Sequence, residues 1–321
     1  MRRRYRRSRS NRNTIIATVG VLTVVLLLVM NLVRMYNISL KSKDAMAGAD
    51  GSNVQAQVTA EPNGKEDGIE ETKATAVPTT KPTAKPKYVG VSEAGKKYTT
   101  DASVVAKKLS KYDYYNDGKK TVYLTFDDGV STTVTPKILE VLDKYKVKAT
   151  FFVMGKNIEN GGEAAKKLIK EEFEKGHAIA NHSYSHDYKV LYPNRELNLK
   201  NFVKDFKKTD KILKDILGDE FSTRVIRCPG GFMSWKNMDE LSNYMKKNNM
   251  VSIDWNALSK DAEGPKKNAK QLLECVKETA GDKTMVVLLM HDTYGKEETV
   301  KSLPLIIEYF KKKGYEFKTL S

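Results

Sequence analysis

Residues that could carry out chemistry together are concentrated in four short motifs between Thr125 and Asp292. In order, they are Thr-Phe-Asp-Asp-Gly (125–129), His-Ser-Tyr-Ser-His (182–186), Arg-Cys-Pro-Gly-Gly (227–231) and Leu-Met-His-Asp (289–292). Three of the four histidines of the chain lie in them. Carboxylates and imidazoles are the ligands of catalytic zinc sites, and such sites also need an acid and a base that do not bind the ion. The four motifs together therefore indicate a metal-assisted hydrolase.

The first two motifs contain the candidate metal ligands. Asp127 and Asp128 end a predicted strand, where adjacent carboxylates can point in different directions, so that one binds a metal and the other stays free. His182 and His186 are four residues apart, which on a helical turn places both imidazoles on one face. A carboxylate would complete a set of two histidines and one aspartate, with water in the remaining position. Taken singly, each motif has an ordinary alternative, a polar turn or two surface histidines.

The two later motifs offer groups that act without binding a metal. Arg227 could pair with a catalytic carboxylate and keep it ionised. Gly230 and Gly231 would let backbone N–H groups approach a substrate oxygen. His291 ends a buried apolar run, where it could titrate near neutral pH and protonate a leaving group; a hydrogen-bonded structural histidine is the alternative. Leu289 would face the same way and could line a small apolar pocket.

Apolar, β-branched runs alternate with amphipathic stretches from about residue 113 onwards. The predicted strands are Thr121–Phe126, Ala149–Met154, Val225–Arg227, Met250–Ile253, Met285–Met290 and Tyr315–Thr319. The predicted helices are Pro136–Tyr145, Gly162–Lys175, Glu196–Leu217, Asn237–Lys247, Asn268–Thr279 and Val300–Lys312. This alternation predicts an α/β fold with a parallel sheet. A distorted (β/α) barrel of about seven parallel strands is preferred over an open sheet, because the motifs fall where α/β barrels place their catalytic loops.

The N-terminal part of the chain has a different composition. Residues 1–13 contain seven arginines and no acid, and residues 14–35 include an uncharged apolar run of about 20 residues, the length that crosses a bilayer. We therefore predict a cytoplasmic tail over 1–13 and an uncleaved transmembrane helix over 14–35, with the rest of the chain outside the cell membrane. Residues 36–110 are predicted to be an extracytoplasmic linker, because much of this stretch has few aromatic or branched apolar residues and contains an acidic patch and a Pro/Thr/Lys stretch. Residues 111–321 are predicted to be the catalytic domain.

The net charge limits the kinds of binding partner that are expected, and the number of cysteines limits the disulfides that can form. The net charge is +16, and +9 remains without the N-terminal arginines. A lysine-rich surface suits an anionic polymer or lipid surface, and without a nucleic-acid-binding signature no nucleic-acid partner is expected. Nothing indicates an obligate protein partner. Cys228 and Cys275 are too few for a disulfide framework and are expected to be free, buried thiols, with Cys228 packing rather than binding metal.

The ordered motif set resembles the polysaccharide deacetylase family, which is carbohydrate esterase family 4 or the NodB homology domain, over about residues 120–321. The resemblance implies Asp127 as the general base. It implies three metal ligands, Asp128, His182 and His186.

The later motifs of the family also have counterparts here. The R-x-P-x-G motif points to Arg227 as a supporting arginine and to the Gly230 backbone N–H as the donor to the oxyanion. The L-x-H motif points to His291 as the general acid and to Leu289 as part of the acetyl pocket. A frequent aromatic residue is replaced by Gly230, which puts the shape of the groove in doubt more than the chemistry.

The fourth family motif, commonly D-x-x-D-W, is altered here. Val251 replaces its first aspartate, while Asp254 and Trp255 stand at its last two positions. The resemblance implies that Asp254 tunes the acid His291 and that Trp255 forms a wall of the groove. Asp261 is a rival for the tuning role. Asp254 is preferred because it leaves a predicted strand at the same end as the other motifs.

The expected activity is removal of N-acetyl groups from an acetylated amino-sugar polymer. An anchored, basic, extracytoplasmic domain suits the cell wall, so the N-acetylglucosamine of peptidoglycan is the first choice of substrate, before chitin-like oligomers or an exopolysaccharide. One divalent ion is expected, zinc first, with cobalt, nickel or manganese as alternatives. An O-acetyl esterase acting on xylan-type polymers is a second enzyme hypothesis. An inactive wall-binding module is the non-enzyme hypothesis, against which the presence of Asp127 and His291 counts.

Overall fold

The computed structural model describes residues 87–115 and 118–321. The predicted tail 1–13 and transmembrane helix 14–35 lie outside these residues, as does most of the predicted linker. Among the helices of the described part, none combines the length and the apolar character needed to span a bilayer.

The centre of the fold is a parallel β-sheet built mostly from short strands. The strands in the described residues are β1 (Tyr88–Val89), β2 (Thr99–Thr100), β3 (Thr121–Gly129), β4 (Thr150–Val153), β5 (Ala178–Asn181), β6 (Phe221–Ser222), β7 (Val225–Ile226), β8 (Val251–Ser252), β9 (Ala257–Leu258), β10 (Met285–His291) and β11 (Glu316–Leu320). Seven of them follow the order β9-β10-β3-β4-β5-β7-β8, and β11 and β2 extend the sheet beside the start of β3. Strands β1 and β6 form a separate parallel pair.

The predicted number of parallel strands is confirmed, but the barrel is a half-barrel. Of the described strands, β8 pairs only with β7 and β9 only with β10, so the sheet does not close between β8 and β9. Closure of a barrel requires every edge strand to find a partner, and two-residue strands at both edges offer few hydrogen bonds for this.

Helices follow most of the strands. They are α1 (Ala102–Ser110), α2 (Thr135–Tyr145), α3 (Gly155–Glu174), α4 (Tyr188–Leu191), α5 (Leu199–Leu217), α6 (Asp239–Lys247), α7 (Ala269–Ala280) and α8 (Glu297–Lys312). Several begin at side-chain caps of the preferred types. Asp101 caps α1 by accepting a hydrogen bond from the backbone N–H of Ser103 at 2.8 Å, and Asn268 begins α7 in a capping box with Gln271.

The two faces of the sheet bury different cores because successive side chains of a strand point in opposite directions. The outer face contributes residues such as Leu124, Phe151 and Leu288 to the larger core, which helices α2, α3, α7 and α8 cover. The inner face contributes Tyr123, Phe152 and Val287 to a smaller core, into which α1 places Ala102 and Val105. Helix α1 therefore covers the inner side of the half-barrel.

The predicted boundary between linker and catalytic domain is wrong. Strand β2 pairs with β11, with Thr99 opposite Thr319, and the α1 residues Ala102 and Val105 are buried in the inner core. The folded domain therefore includes residues from 88 onwards. The sequence missed this because β2 has two threonines and α1 shows only one short apolar face. A fragment starting at residue 111 would expose the inner core.

The two cysteines are free, as predicted. Cys228 is fully buried in a small core between α5 and α6, where burial raises the pKa of its thiol to about 12. Cys275 is only half-buried. The packing role predicted for Cys228 fits these surroundings.

Candidate active site

The alternation of side chains along the strands brings the motif residues to one place. Along several strands, a core residue on the inner face is followed two or four residues later by a motif residue. Because side chains alternate between the faces of a strand, the motif residue points to the same inner face, at the carboxyl end of the sheet. The pairs are Tyr123 and Asp127, Ala180 and His182, Val225 and Arg227, and Val287 and His291. Strands β3 and β10 are also in register, with His291 opposite Asp127. Residues far apart in the sequence therefore converge at the carboxyl end of the inner face.

A β-bulge separates the two adjacent aspartates. The pairing of β3 with β4 shifts between Asp127 and Gly129, which leaves Asp128 as the extra residue with a φ of 66°. A bulge of this kind redirects a side chain. Asp127 stays on the inner face, whereas the Asp128 carboxylate approaches the loop of residues 182–187 that carries His182 and His186, called the histidine loop below. The expected difference in direction between the two carboxylates has this bulge as its structural cause.

Asp128, His182 and His186 form a cluster that fits a divalent cation. One Asp128 carboxylate oxygen lies 3.5 Å from His182 Nε2 and 3.6 Å from His186 Nε2, and the three ligand atoms are within 4.8 Å of one another. Tetrahedral zinc ligands at about 2.0–2.2 Å from the ion are roughly 3.3–3.6 Å apart. The same Asp128 oxygen is buried without a hydrogen-bond partner among the described residues, as expected of an atom that binds a cation.

Hydrogen bonds orient both histidines toward this cluster. The Nδ1 atom of His182 lies 2.9 Å from the carbonyl oxygen of Arg227, so Nδ1 carries the proton and Nε2 is free to bind a metal. Burial lowers the pKa of His182 to about 3, which keeps the ring neutral, as a ligand must be. The expected helical turn is wrong, because His186 lies on a loop with a φ of 51°, where its backbone N–H donates to Ser183 Oγ at 2.9 Å.

Arg227 is a fully buried arginine that pairs with Asp127. Its Nη1 atom donates to an Asp127 carboxylate oxygen at 2.6 Å and to Thr125 Oγ1 at 2.9 Å, and its Nε donates to the carbonyl of Ile253 at 2.8 Å. Burial raises the pKa of Asp127 above its ordinary value, and the Arg227 guanidinium opposes this. The result is an ionisable carboxylate in a buried site, beside the candidate metal cluster but outside it.

His291 pairs with Asp261, so the preference for Asp254 is wrong. The Asp261 carboxylate lies 2.9 Å from His291 Nδ1 and also accepts the His291 backbone N–H at 2.8 Å. Asp254 instead accepts the backbone N–H of Phe232 at 3.0 Å. The reason is topological. Asp261 follows β9, the neighbour of the strand that ends in His291, whereas Asp254 follows β8 at the opposite edge of the sheet.

Asp261 controls the protonation of His291. Burial alone would lower the pKa of His291, but the hydrogen bond and the charge of Asp261 raise it to about 8. Burial would likewise raise the pKa of Asp261, yet the bonds from His291 bring it below its ordinary value. At neutral pH the imidazole therefore holds a proton, as a general acid must.

A family model described as polysaccharide deacetylase matches residues 114–251. A peptidoglycan-N-acetylglucosamine deacetylase of Bacillus cereus is 33% identical over 221 residues, which cover 66% of this chain and 72% of that protein. The chain belongs to the polysaccharide deacetylase family. Members of this family are enzymes that deacetylate polysaccharides, and the family is metal-dependent.

Two further relatives of this polysaccharide deacetylase are a solved structure and a bifunctional enzyme. A structure of a CE4 esterase from Streptococcus mutans is 35% identical with a TM-score of 0.66, covering 73% of this chain and 96% of that one. A bifunctional xylanase/deacetylase of Pseudobutyrivibrio xylanivorans is 30% identical over 63% of this chain, but this match spans only 30% of the relative.

The remaining predicted site residues surround the cluster in this deacetylase. Leu289 is buried on the inner face two residues before His291. Trp255 is partly buried, and its ring lies 5.6 Å from the Arg227 guanidinium carbon. Gly230 has a φ of 77°, and a Cβ built there would stand 3.0 Å from the Trp235 ring and 3.3 Å from the Tyr188 hydroxyl. A side chain at residue 230 would therefore meet both rings.

Tyr188 and Trp235 were not predicted to belong to the site. No sequence motif marks them, because they lie outside the four motifs. Trp235 is held in place by an Nε1 hydrogen bond to the Pro229 carbonyl at 2.8 Å and by stacking on Tyr192. The ring that seemed lost with Gly230 is therefore supplied by Trp235, five residues later in the chain, and by Tyr188.

In the metal-free protein, Asp261→Asn is expected to lower the pKa of His291 by about 1–2 units. The amide keeps a hydrogen-bond acceptor but carries no charge to favour the imidazolium, so burial then dominates. NMR titration of the histidine ring protons measures this pKa. Asp254→Asn is the matched control and should leave the value at about 8. A shift in the Asp254→Asn protein with none in the Asp261→Asn protein would restore the original assignment.

Proposed function

We propose that this deacetylase removes N-acetyl groups from N-acetylglucosamine residues of a cell-wall polysaccharide, with peptidoglycan as the first choice. The observation that carries the proposal is the joint arrangement of a metal-type cluster, a buried Asp127–Arg227 pair and a His291–Asp261 pair at one end of the sheet. Metal-assisted hydrolysis of an amide uses an ion, a base and an acid together. Peptidoglycan is favoured by the name of the Bacillus cereus relative.

Asp128, His182 and His186 would hold the ion, and zinc suits two imidazoles and one carboxylate best. Cobalt, nickel and manganese also bind imidazole and carboxylate ligands and are the alternatives. A bound divalent ion supplies Lewis-acid polarisation of the acetamide carbonyl and lowers the pKa of water in the site.

The residues around the ion divide the proton transfers between them. Asp127, held by Arg227, takes a proton from the attacking water as the new C–O bond forms. The Gly230 backbone N–H donates to the oxygen that becomes negatively charged. His291 then gives its proton to the amide nitrogen as the C–N bond breaks, which releases acetate and leaves a free amine. Leu289 lines the space for the acetyl methyl group.

Acetate release tests the substrate assignment directly. The purified full-length chain is incubated with N-acetylglucosamine oligomers, with peptidoglycan, and with O-acetylated xylo-oligosaccharides. The xylan substrate is included because of the bifunctional xylanase/deacetylase relative. Acetate from the amino-sugar substrates in excess over the xylan substrate is expected. Acetate from the xylan substrate alone would replace the proposal with an O-acetyl esterase.

We also propose an extracytoplasmic location, with residues 1–13 in the cytoplasm and a membrane span at 14–35. The arginine cluster and the apolar run support this orientation. A catalytic domain anchored in this way would act on the wall outside the cell. Protease added to cells whose wall has been removed should release a fragment that contains the catalytic domain. Complete protection of that fragment would reverse the orientation.

A further inference from the structure

Tyr188 lies between the candidate metal cluster and Gly230. It begins α4, directly after the histidine loop, and its side chain is partly exposed to solvent. Its ring centroid is 5.2 Å from that of His186 and 5.0 Å from that of Trp235. The residue therefore bridges an expected metal ligand and the indole that covers Gly230.

The hydroxyl of Tyr188 is positioned over the backbone of Gly230. It stands 3.3 Å from the place where a Cβ at Gly230 would lie. Among the described residues it makes no hydrogen bond, in contrast to Tyr184 on the same loop, whose hydroxyl donates to Glu159 at 2.6 Å. A phenol keeps its proton at neutral pH, so this hydroxyl is a donor with no partner in the protein.

The position of the acyl oxygen follows from the proposed function, on which this inference rests. That oxygen must reach both the metal cluster and the Gly230 N–H. Tyr188 contacts one member of the cluster and borders Gly230, so its hydroxyl faces the same space. The neighbouring Trp235 cannot serve, because its only N–H is already donated to the Pro229 carbonyl.

We propose that Tyr188 is a catalytic residue whose hydroxyl donates a hydrogen bond to the acetamide carbonyl oxygen as negative charge develops there. The Gly230 N–H and the Tyr188 O–H would then be two donors to one oxyanion. The absence of a side chain at residue 230 gives the phenol access to this oxygen, because a Cβ would crowd the hydroxyl.

The test is Tyr188→Phe in the full-length chain, which removes one oxygen atom and keeps the ring contacts. Loss of an oxyanion donor is expected to lower kcat roughly 10²-fold. KM should change little, since the bond strengthens only in the transition state. Bound metal, measured by elemental analysis, should be unchanged. Tyr184→Phe is the matched control and should retain the kcat of the unmodified chain.

Two kinetic results would overturn the proposal. One is a kcat within about twofold of the unmodified chain. The other is a raised KM with an unchanged kcat, which would make Tyr188 a ground-state contact only.

Acetate binding gives a second measurement that does not depend on turnover. The affinity of the zinc-loaded chain for acetate, measured by calorimetry, should fall about tenfold or more in Tyr188→Phe, since hydrogen bonds to charged groups are stronger than neutral ones. Equal affinities would overturn the proposal. If the unmodified chain released no acetate from any polymer, the proposed function would fail, while acetate binding would still decide the role of Tyr188.

Discussion

Replacing Asp128 by asparagine is expected to cost the protein most of its bound metal, whereas replacing Asp127 by asparagine should leave the metal in place and stop turnover. The bulge at Asp128 directs its carboxylate to His182 and His186, while Asp127 is bound to Arg227. Asparagine at residue 127 can still accept the arginine hydrogen bond but cannot take a proton. A lost general base lowers the rate about 10²–10⁴-fold.

Metal content and kcat, measured for both variants with and without excess zinc, separate the two roles. Excess metal should partly restore Asp128→Asn and should not restore Asp127→Asn. Asp187→Asn, at the exposed start of α4, is a control for changing an aspartate near the site without touching the cluster. Metal loss in Asp127→Asn together with full retention in Asp128→Asn would show that the roles are reversed.

Arg227→Gln is expected to reduce the free energy of unfolding by about 3–5 kcal/mol, the range for breaking a buried ion pair. The substitution leaves the buried Asp127 carboxylate without its cation and removes the donor to the Ile253 carbonyl. Because the guanidinium holds down the pKa of Asp127, its loss should also favour the protonated carboxyl and suppress the base.

Urea denaturation compares this variant with Arg224→Gln. Arg224 pairs with the exposed Asp101 at 2.8 Å, and exposed pairs contribute about 0–1 kcal/mol. The two arginines lie three residues apart, so the comparison isolates the effect of burial. Equal losses of stability in the two variants would mean that the Arg227–Asp127 pair does not stabilise the fold in the way that its geometry suggests.

The chemistry of the site was predictable because its residues lie in fixed sequence motifs. The sequence could also predict that the motif residues meet at one end of the sheet. Long apolar strands such as β10 end at a motif residue, here His291, and the carboxyl ends of parallel strands lie at the same edge. The division between Asp127 and Asp128 was predictable only through the family resemblance. Its structural cause, the bulge at Asp128, leaves no separate sign in the sequence beyond the glycine that follows.

Errors arose where very short elements determine the topology. Strand β9 has only two residues, Ala257 and Leu258, which show no periodic pattern. Its pairing with β10 could therefore not be predicted from the sequence. Without β9, nothing brought Asp261 next to His291. Strand β5, with the sequence Ala-Ile-Ala-Asn, was missed for a related reason, because alanine and asparagine disfavour strands when tertiary contacts are ignored.

The approach of Tyr188 to Gly230 depends on tertiary packing, whereas Trp235 lies only five residues after Gly230. Tyr188 reaches Gly230 because the histidine loop and the 229–235 segment meet, and no local pattern encodes that meeting. The sequence showed only that an aromatic ring was absent at residue 230. The fold places the Trp235 ring, from the same 229–235 segment, and the Tyr188 ring, from the start of α4, at that place, which explains why a groove can be maintained with glycine there.

Metal-dependent acetate release is the most direct measurement of whether the cluster of Asp128, His182 and His186 drives the hydrolysis. The full-length chain is treated with a chelator, its metal content is measured, and acetate release from N-acetylglucosamine oligomers is followed before and after zinc is added. Activity should vanish with the metal and return at about one zinc ion per chain, and His186→Ala should not recover under the same conditions. Undiminished acetate release by a chain without detectable divalent metal would contradict the proposed mechanism.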